Sequence, residues 1–190
     1  MRPSGDSIRV VHPLFQEEGG GSIPTSPLQF HIGEIHLDLA MRLNELWHSR
    51  FPKTVRENLQ RVRFGVNYGA EFEGLFYAVA IWTSPIASNR LIDGLSALEL
   101  RRLAVAPDAP KNTPSRMLSV MRRKIEAKEW GIKRLISYQD TEVHEGTIYK
   151  ASGWKLANIG SFQEWTTERR KRSEVQSKAS KNRWEIDLAS

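Results

Sequence analysis

The sequence predicts one α/β domain, a single mixed sheet with helices on both faces. Three observations carry this. The segment Leu75-Phe-Tyr-Ala-Val-Ala-Ile-Trp82 is apolar on both of its alternating faces, as a strand covered on two sides must be. A strand–loop–helix–strand–helix–strand order runs from Ala97 to Ile159. Ahead of both, Ile35, Leu39, Leu43 and Leu46 recur at helical spacing, in an amphipathic helix over Gly33–Arg50 that Pro52 stops.

The remaining elements follow in chain order. Residues 1–27 hold Gly19-Gly20-Gly21 with several Ser and Pro residues and read as a flexible arm with a short extended piece at Ser7–Val11. A short helix is expected over Thr54–Gln60. Arg63–Tyr68 and Gly74–Thr83 read as strands, with a hairpin turn somewhere in Asn67–Gly74. Ala97–Val105 is a third strand. Pro107 to Pro114 is a loop with three prolines. Ser115–Glu129 carries Met117, Val120, Met121 and Ile125 on one helical face, and Gly131 suits a C-cap. Arg134–Tyr138 is a strand, Thr147–Ser152 a short helix ended by Gly153, and Trp154–Ile159 is extended. Trp184-Glu-Ile-Asp-Leu188 alternates and reads as an edge strand.

The chain has 190 residues, 39% hydrophobic and 26% charged, enough for one packed core and unlike a disordered protein. No apolar run approaches the ~18 residues of a membrane span, so no membrane partner is expected. The N-terminus lacks the apolar core of a signal peptide, and a cytoplasmic location is expected. Cysteine is absent, which excludes disulfides and thiolate zinc sites. The net charge is +6 and the pI about 9.7, a balance that favours polyanionic partners, nucleic acid first. The charge concentrates in the segment 168–183. There Arg169, Arg170, Lys171, Arg172, Lys178, Lys181 and Arg183 face two acids, a net +5. Such a run suits phosphate contacts, and it equally suits a solvated surface helix.

Three further places could carry chemistry. A strand that ends in a loop and opens a helix leaves backbone N–H groups and the positive end of a helix dipole facing outward, an anion site. Leu98–Glu129 has this form. Asn112, Thr113 and Ser115 could cap the helix, Pro114 suits its first turn, and Lys111 and Arg116 add charge. An ordinary capped helix after a strand has the same spacing. Second, Asp140 falls at the carboxyl end of a strand, where open α/β sheets hold their ligands, and could accept a proton or orient an amine. Tyr149, nine residues on, could act as a general acid; a turn aspartate and a packing tyrosine fit as well. Third, His31, His36, His48 and His144 make no strong metal pattern.

Leu98-Glu-Leu-Arg-Arg-Leu-Ala-Val-Ala-Pro-Asp-Ala-Pro-Lys-Asn-Thr-Pro-Ser-Arg-Met-Leu118 resembles the core of the Mom family of phage Mu and its relatives. Ser137-Tyr-Gln-Asp140, Glu145-Gly-Thr-Ile-Tyr-Lys-Ala-Ser-Gly-Trp154, Trp47-His-Ser49 and Arg183-Trp-Glu-Ile-Asp-Leu188 extend the resemblance, which runs from about Trp47 to Leu188. It implies an acyltransferase fold of the GNAT type over residues 28–190. It also implies transfer of an acyl-type (carbamoylmethyl) group to the N6 amine of adenine in DNA, which shields phage DNA from restriction. Double-stranded DNA would then be the partner, with a homodimer left open. Asp140 would orient the amine or accept its proton, and Tyr149 would donate one. Ser115 and His48 join them as catalytic candidates. Arg102, Ala104, Val105, Lys111, Asn112, Thr113 and Arg116 would hold the donor. That donor is not specified: acyl-CoA suits the fold, glycine-derived donors have been considered, and iron has been associated with the family.

One departure stands out. GNAT enzymes usually carry a Gln/Arg-x-x-Gly-x-Gly/Ala loop around the CoA pyrophosphate. Here the stretch Arg102 to Ser115 has no glycine, and its prolines lack N–H donors. The rival readings are an acetyl-CoA-dependent N-acetyltransferase of a small amine or protein, and a non-catalytic DNA-binding protein on the same scaffold.

Overall fold

The computed structural model describes residues 22–48, 64–85, 96–160 and 180–188. The expectations for residues 1–21, 54–60 and 161–179 lie outside them. In chain order the elements are a 3-10 turn (Pro27–Gln29), β1 (His31–Glu34), α1 (Leu37–Trp47), β2 (Gly65–Phe72), β3 (Leu75–Thr83), β4 (Ala97–Val105), α2 (Thr113–Glu126), β5 (Arg134–Asp140), α3 (Thr147–Ala151), β6 (Lys155–Asn158) and β7 (Lys181–Asp187). The sheet has the order β1-β2-β3-β4-β5-β7-β6. Its one parallel pair is β4 with β5, connected through α2. All other neighbours run antiparallel.

β3 behaves as its sequence demands. Val79 and Ile81 pack under α1 with Ala40 and Leu43. Ala80 and Trp82 face the opposite core with Met117, Leu118, Met121 and Ile125 of α2. A strand with helices on both faces has no polar side, hence the unbroken apolar run. Trp82 anchors the α2 face. Its indole Nε1 donates to Met121 Sδ at 3.2 Å, and its ring stacks on Trp154 at 6.2 Å.

Several boundaries differ from the sequence expectation. Gly33 and Glu34 belong to a short strand, not a helix, because their backbones pair with Gly69 and Tyr68 of β2. The helix therefore starts at Leu37, capped by His36 Nδ1 accepting from the Asp38 N–H. β2 runs on to Phe72, and the turn shrinks to Glu73 (φ 49°) and Gly74 (φ 80°). Two consecutive left-handed residues are what a two-residue hairpin with the twist of its strands requires. α2 begins at Thr113 and ends at Glu126, with Ala127 as C-cap; Gly131 (φ 72°) lies beyond it. The segment ending at Leu188 is no edge strand. β7 lies between β5 and β6, and Lys181 and Arg183 are part of it.

Leu43 is fully buried between α1 and the sheet. Leu43→Ala is expected to lower the unfolding free energy by about 2–5 kcal/mol, measured by urea denaturation. A change under about 0.5 kcal/mol would mean that α1 does not pack as described.

Candidate active site

The site begins with a break in the sheet. β4 and β5 pair from Ala97↔Arg134 to Leu100↔Ser137 and no further, although β4 continues to Val105 and β5 to Asp140. The cause lies on the other edge of β4. Trp82 of β3 faces Leu100 and the preceding Ile81 faces Arg102, so Arg101 is an extra residue. A bulge of this kind bends the strand that carries it. β4 and β5 part beyond Leu100↔Ser137, and residues 101–105 and 138–140 border the gap in the pairing.

Alternation along the strands then decides what faces the gap from each side. On the α2 side, Ser137 Oγ and Tyr149 Oη lie 2.8 Å apart, both buried. The Tyr149 ring stacks on Trp184 at 5.3 Å and meets Trp154 edge-on at 5.7 Å. Burial raises the phenol's pKa, against a smaller opposing effect of the Ser137 bond. Tyr149 therefore keeps its proton throughout the physiological range. Gln139, on the same face, accepts from the Trp184 indole at 2.7 Å and donates to the His144 carbonyl.

On the α1 side the floor is charged. Arg102 faces Ile81, a residue of the α1 core, which fixes its direction. Arg101 Nε lies 3.4 Å from Glu99 Oε1. Lys181 is the cross-strand partner of Asp140. Burial lowers the Lys181 pKa; Asp140 and Glu99 raise it, while Arg102 and Arg101 lower it further. Those five groups thus share one electrostatic neighbourhood. His48 joins from the end of α1. Burial, then Arg102, then His144 push its pKa down to about 4, so its imidazole is neutral at pH 7. Burial and Arg101 lower Arg102 to about 10, against Glu99, and it remains a cation. A tight turn, with the Val143 and His144 N–H groups on the Asp140 carbonyl, folds His144 back over the end of β5. Asp140 Oδ1 also accepts from the Glu142 N–H at 3.1 Å, so the aspartate shapes this turn as well as facing the cleft.

His48, Arg102, Asp140 and Lys181 thus converge, as residues singled out by sequence. Tyr149 meets Ser137, the last β5 residue paired with β4, on the opposite face of β5. Ser115 does not join them: its hydroxyl donates to the Asn112 carbonyl at 3.0 Å, within its own helix turn. Asn112 adopts a left-handed backbone (φ 68°) and makes no side-chain cap. Thr113 is fully buried and spends its hydroxyl on the Pro110 carbonyl at 2.7 Å. The Thr113 and Arg116 N–H groups are likewise used, by the carbonyls of Pro110 and Asn112. Ala104 is buried against α1, and Lys111 is exposed. Arg183 is a strand residue whose Nε lies 2.7 Å from Glu185 Oε1. Arg169, Arg170, Lys171, Arg172 and Lys178 lie outside the described residues. Sequence reasoning missed Glu99, Arg101 and Tyr138. Two adjacent arginines in an otherwise alternating strand were the available signal, since consecutive charges break the period of two as a bulge does.

Two groups that the family resemblance raised can be compared with these residues. With Thr113 and Arg116 N–H groups committed and Pro110 and Pro114 lacking theirs, the loop before α2 is a poor cradle for a CoA pyrophosphate. Among the described residues no three His, Asp or Glu side chains are placed to hold a metal ion.

The bulged, splayed seven-stranded sheet is the fold of the GNAT acetyltransferases. The ribosomal-protein-S18-alanine N-acetyltransferase of Escherichia coli superposes with a TM-score of 0.60 at 16% identity, covering 85% of this chain and 95% of that one. A Bacillus subtilis acetyltransferase in complex with CoA gives 0.57 at 18% identity, covering 85% and 99%. A probable acetyltransferase from Staphylococcus epidermidis gives 0.60 at 11%, covering 84% and 99%. A search of curated proteins finds no match. Within this fold the chain belongs to the Mom protein family, whose sequence model matches residues 29–187.

The His48 shift makes a pH prediction. Its folded pKa lies below its unfolded value of 6.5, so between about 4 and 6.5 the unfolded chain binds a proton that the folded chain refuses. The neutral ring's contribution to stability is present above that window and is lost as the pH falls through it. Because the ring is partly solvated, its share is on the order of 1–2 kcal/mol. Urea midpoints of the wild type and His48→Gln at pH 7 and pH 4.5 test this. The wild type should lose more stability than the variant, and equal losses would refute it.

Proposed function

We propose that the chain modifies DNA, transferring an acyl-type (carbamoylmethyl) group to the N6 amine of adenine and so protecting that DNA from restriction. The observation that carries this reading is the convergence of Asp140, Arg102, Lys181 and the neutral His48 at the gap between β4 and β5, in a chain of the Mom family. A cationic cleft attracts a polyanion. A carboxylate inside it meets the chemical need of the acceptor. The lone pair of an exocyclic amine is delocalised into its ring, so the amine must be oriented and must lose a proton as the new N–C bond forms.

Asp140 holds the amine and takes that proton on the α1 side. Tyr149, kept protonated by burial, serves the leaving group of the donor on the α2 side. The gap lets the two reagents meet through the sheet. Arg102 stabilises negative charge that develops between them. An adenine inside a duplex cannot enter such a cleft, so the base is extruded. Lys181, Arg183 and the basic run 169–178 grip the backbone, each contact weakening with salt.

Nucleoside mass spectrometry of host DNA after expression tests the reading. Wild type should yield modified adenine, and Asp140→Ala should yield none while staying folded. Tyr149→Phe should lower the rate about a hundred-fold, the lower end of what general acid catalysis supplies, with its thermal midpoint preserved. Unmodified adenine in wild-type cells containing folded protein would refute it. The acetyl-CoA reading predicts instead tight, saturable binding of acetyl-CoA in titration calorimetry, against the poor fit of the loop before α2.

A further inference from the structure

We infer that Tyr138 is the platform on which the extruded base stacks. The inference rests on the DNA reading above and adds to it the residue that fixes the plane of the base.

Tyr138 is out of keeping with its place in the fold. β5 is an interior strand, flanked by β4 and β7. Its other central residues are closed off: Ile136 is 0%, Ser137 2% and Gln139 4% exposed. Tyr138 is 36% exposed. The other described tyrosines, Tyr68, Tyr77 and Tyr149, are all buried. Among the described residues α1 packs chiefly on β2, β3 and β4, and of the β5 residues on its face Ile136 is closed off while Tyr138 is not. Tyr138 points to that face, opposite Ser137 and Gln139. A large aromatic left open on a central strand, next to a charged cleft, offers a flat apolar surface that the fold does not use.

Its surroundings select what would lie there. Asp140 is two residues along the same face, about 7 Å away. That is within reach of an amine projecting from a ring laid on the phenol. Arg183, ion-paired to Glu185, is the cross-strand partner of Tyr138, and Lys181 that of Asp140. Arg101 and Arg102 stand across the gap. Cations alone hold phosphates without fixing the plane of a base. An extruded base has lost its stacking neighbours, and an aromatic face in the receiving cleft replaces part of what was lost. The combination of π-face, carboxylate and surrounding cations matches a nucleobase with its flanking phosphates. An aliphatic amine or a peptide terminus would use the carboxylate and leave the ring idle.

The test compares wild type with Tyr138→Leu, Tyr138→Thr, Tyr138→Phe and Tyr138→Trp. Each is assayed for binding to a single strand carrying the target adenine and to the same strand with an abasic site there, so that no base has to leave a duplex. Wild type, Phe and Trp should prefer adenine over the abasic site. Leu and Thr should lose between about five-fold and a hundred-fold of that preference, the span of base–aromatic stacking, with the salt dependence unchanged. In steady state the loss should appear in KM, with kcat largely kept, because stacking holds the ground state as well as the transition state. Thr, a good strand former, covers the case in which Leu perturbs the sheet. If Leu or Thr, folded, retains the wild-type preference and KM, the stacking role is overturned while the DNA reading stands. If wild type neither prefers nor modifies adenine, both fall together.

Discussion

The extra residue at Arg101 is the constraint on which the rest of the site depends. A sheet whose interior strands pair along their full length has no room for a reaction. Its backbone donors and acceptors satisfy one another, and its faces are covered by helices. Here β4 gains one residue relative to β3, bends, and drops its pairing with β5 after Leu100↔Ser137. Two strand edges become available in the middle of the molecule. The same bulge turns Arg101 and Arg102 to a common side, where regular alternation would have sent one of them into the α2 core. The break in pairing and its two arginines therefore have a single origin.

That origin also explains how the reactive groups are divided. β5 separates them: Ser137 and Gln139 face α2 and the aromatic group of Tyr149, Trp154 and Trp184. Asp140 and Tyr138 face the charged floor. Burial acts differently on the two sides. It keeps the Tyr149 phenol protonated, and it keeps His48 neutral among cations. Tyr149 and Asp140, the proposed proton donor and acceptor, thus stand on opposite faces of one strand. Gln139 ties the two sides together through Trp184 and the His144 carbonyl, so the turn that carries His144 is fixed from the aromatic face.

Much of the fold was legible because its signals are local. The two-sided apolar run of β3, the helical stripe of α2 and the strand at Ala97–Val105 all state their burial in their own residues. β1 was not legible, since four residues ending in Gly-Glu hold no period, and only their pairing with β2 makes them a strand. β7 was misplaced as an edge for a similar reason: alternation reports which face is buried and nothing about the number of neighbours. In the site, Asp140 stood out as a polar residue at a strand end, and the family resemblance added His48 and Arg102. Thr113, Ser115 and Asn112 looked equally suitable, but the Thr113 and Ser115 hydroxyls and the Asn112 carbonyl are spent inside the loop and first turn. Tyr138 could not be distinguished by sequence from a packing aromatic, because alternation gives the face a residue points to and not what covers that face.

The central claim is that the acceptor base enters from the α1 face, at the gap between β4 and β5, and not at the loop before α2. Photo-cross-linking tests this most directly, with a duplex carrying 8-azidoadenine at the target position and the adduct mapped by peptide mass spectrometry. The account predicts adducts on the charged floor, at Tyr138 and its neighbours from Arg101 to Lys181 across the gap. Adducts confined to Lys111–Arg116 and the first turns of α2 would contradict it.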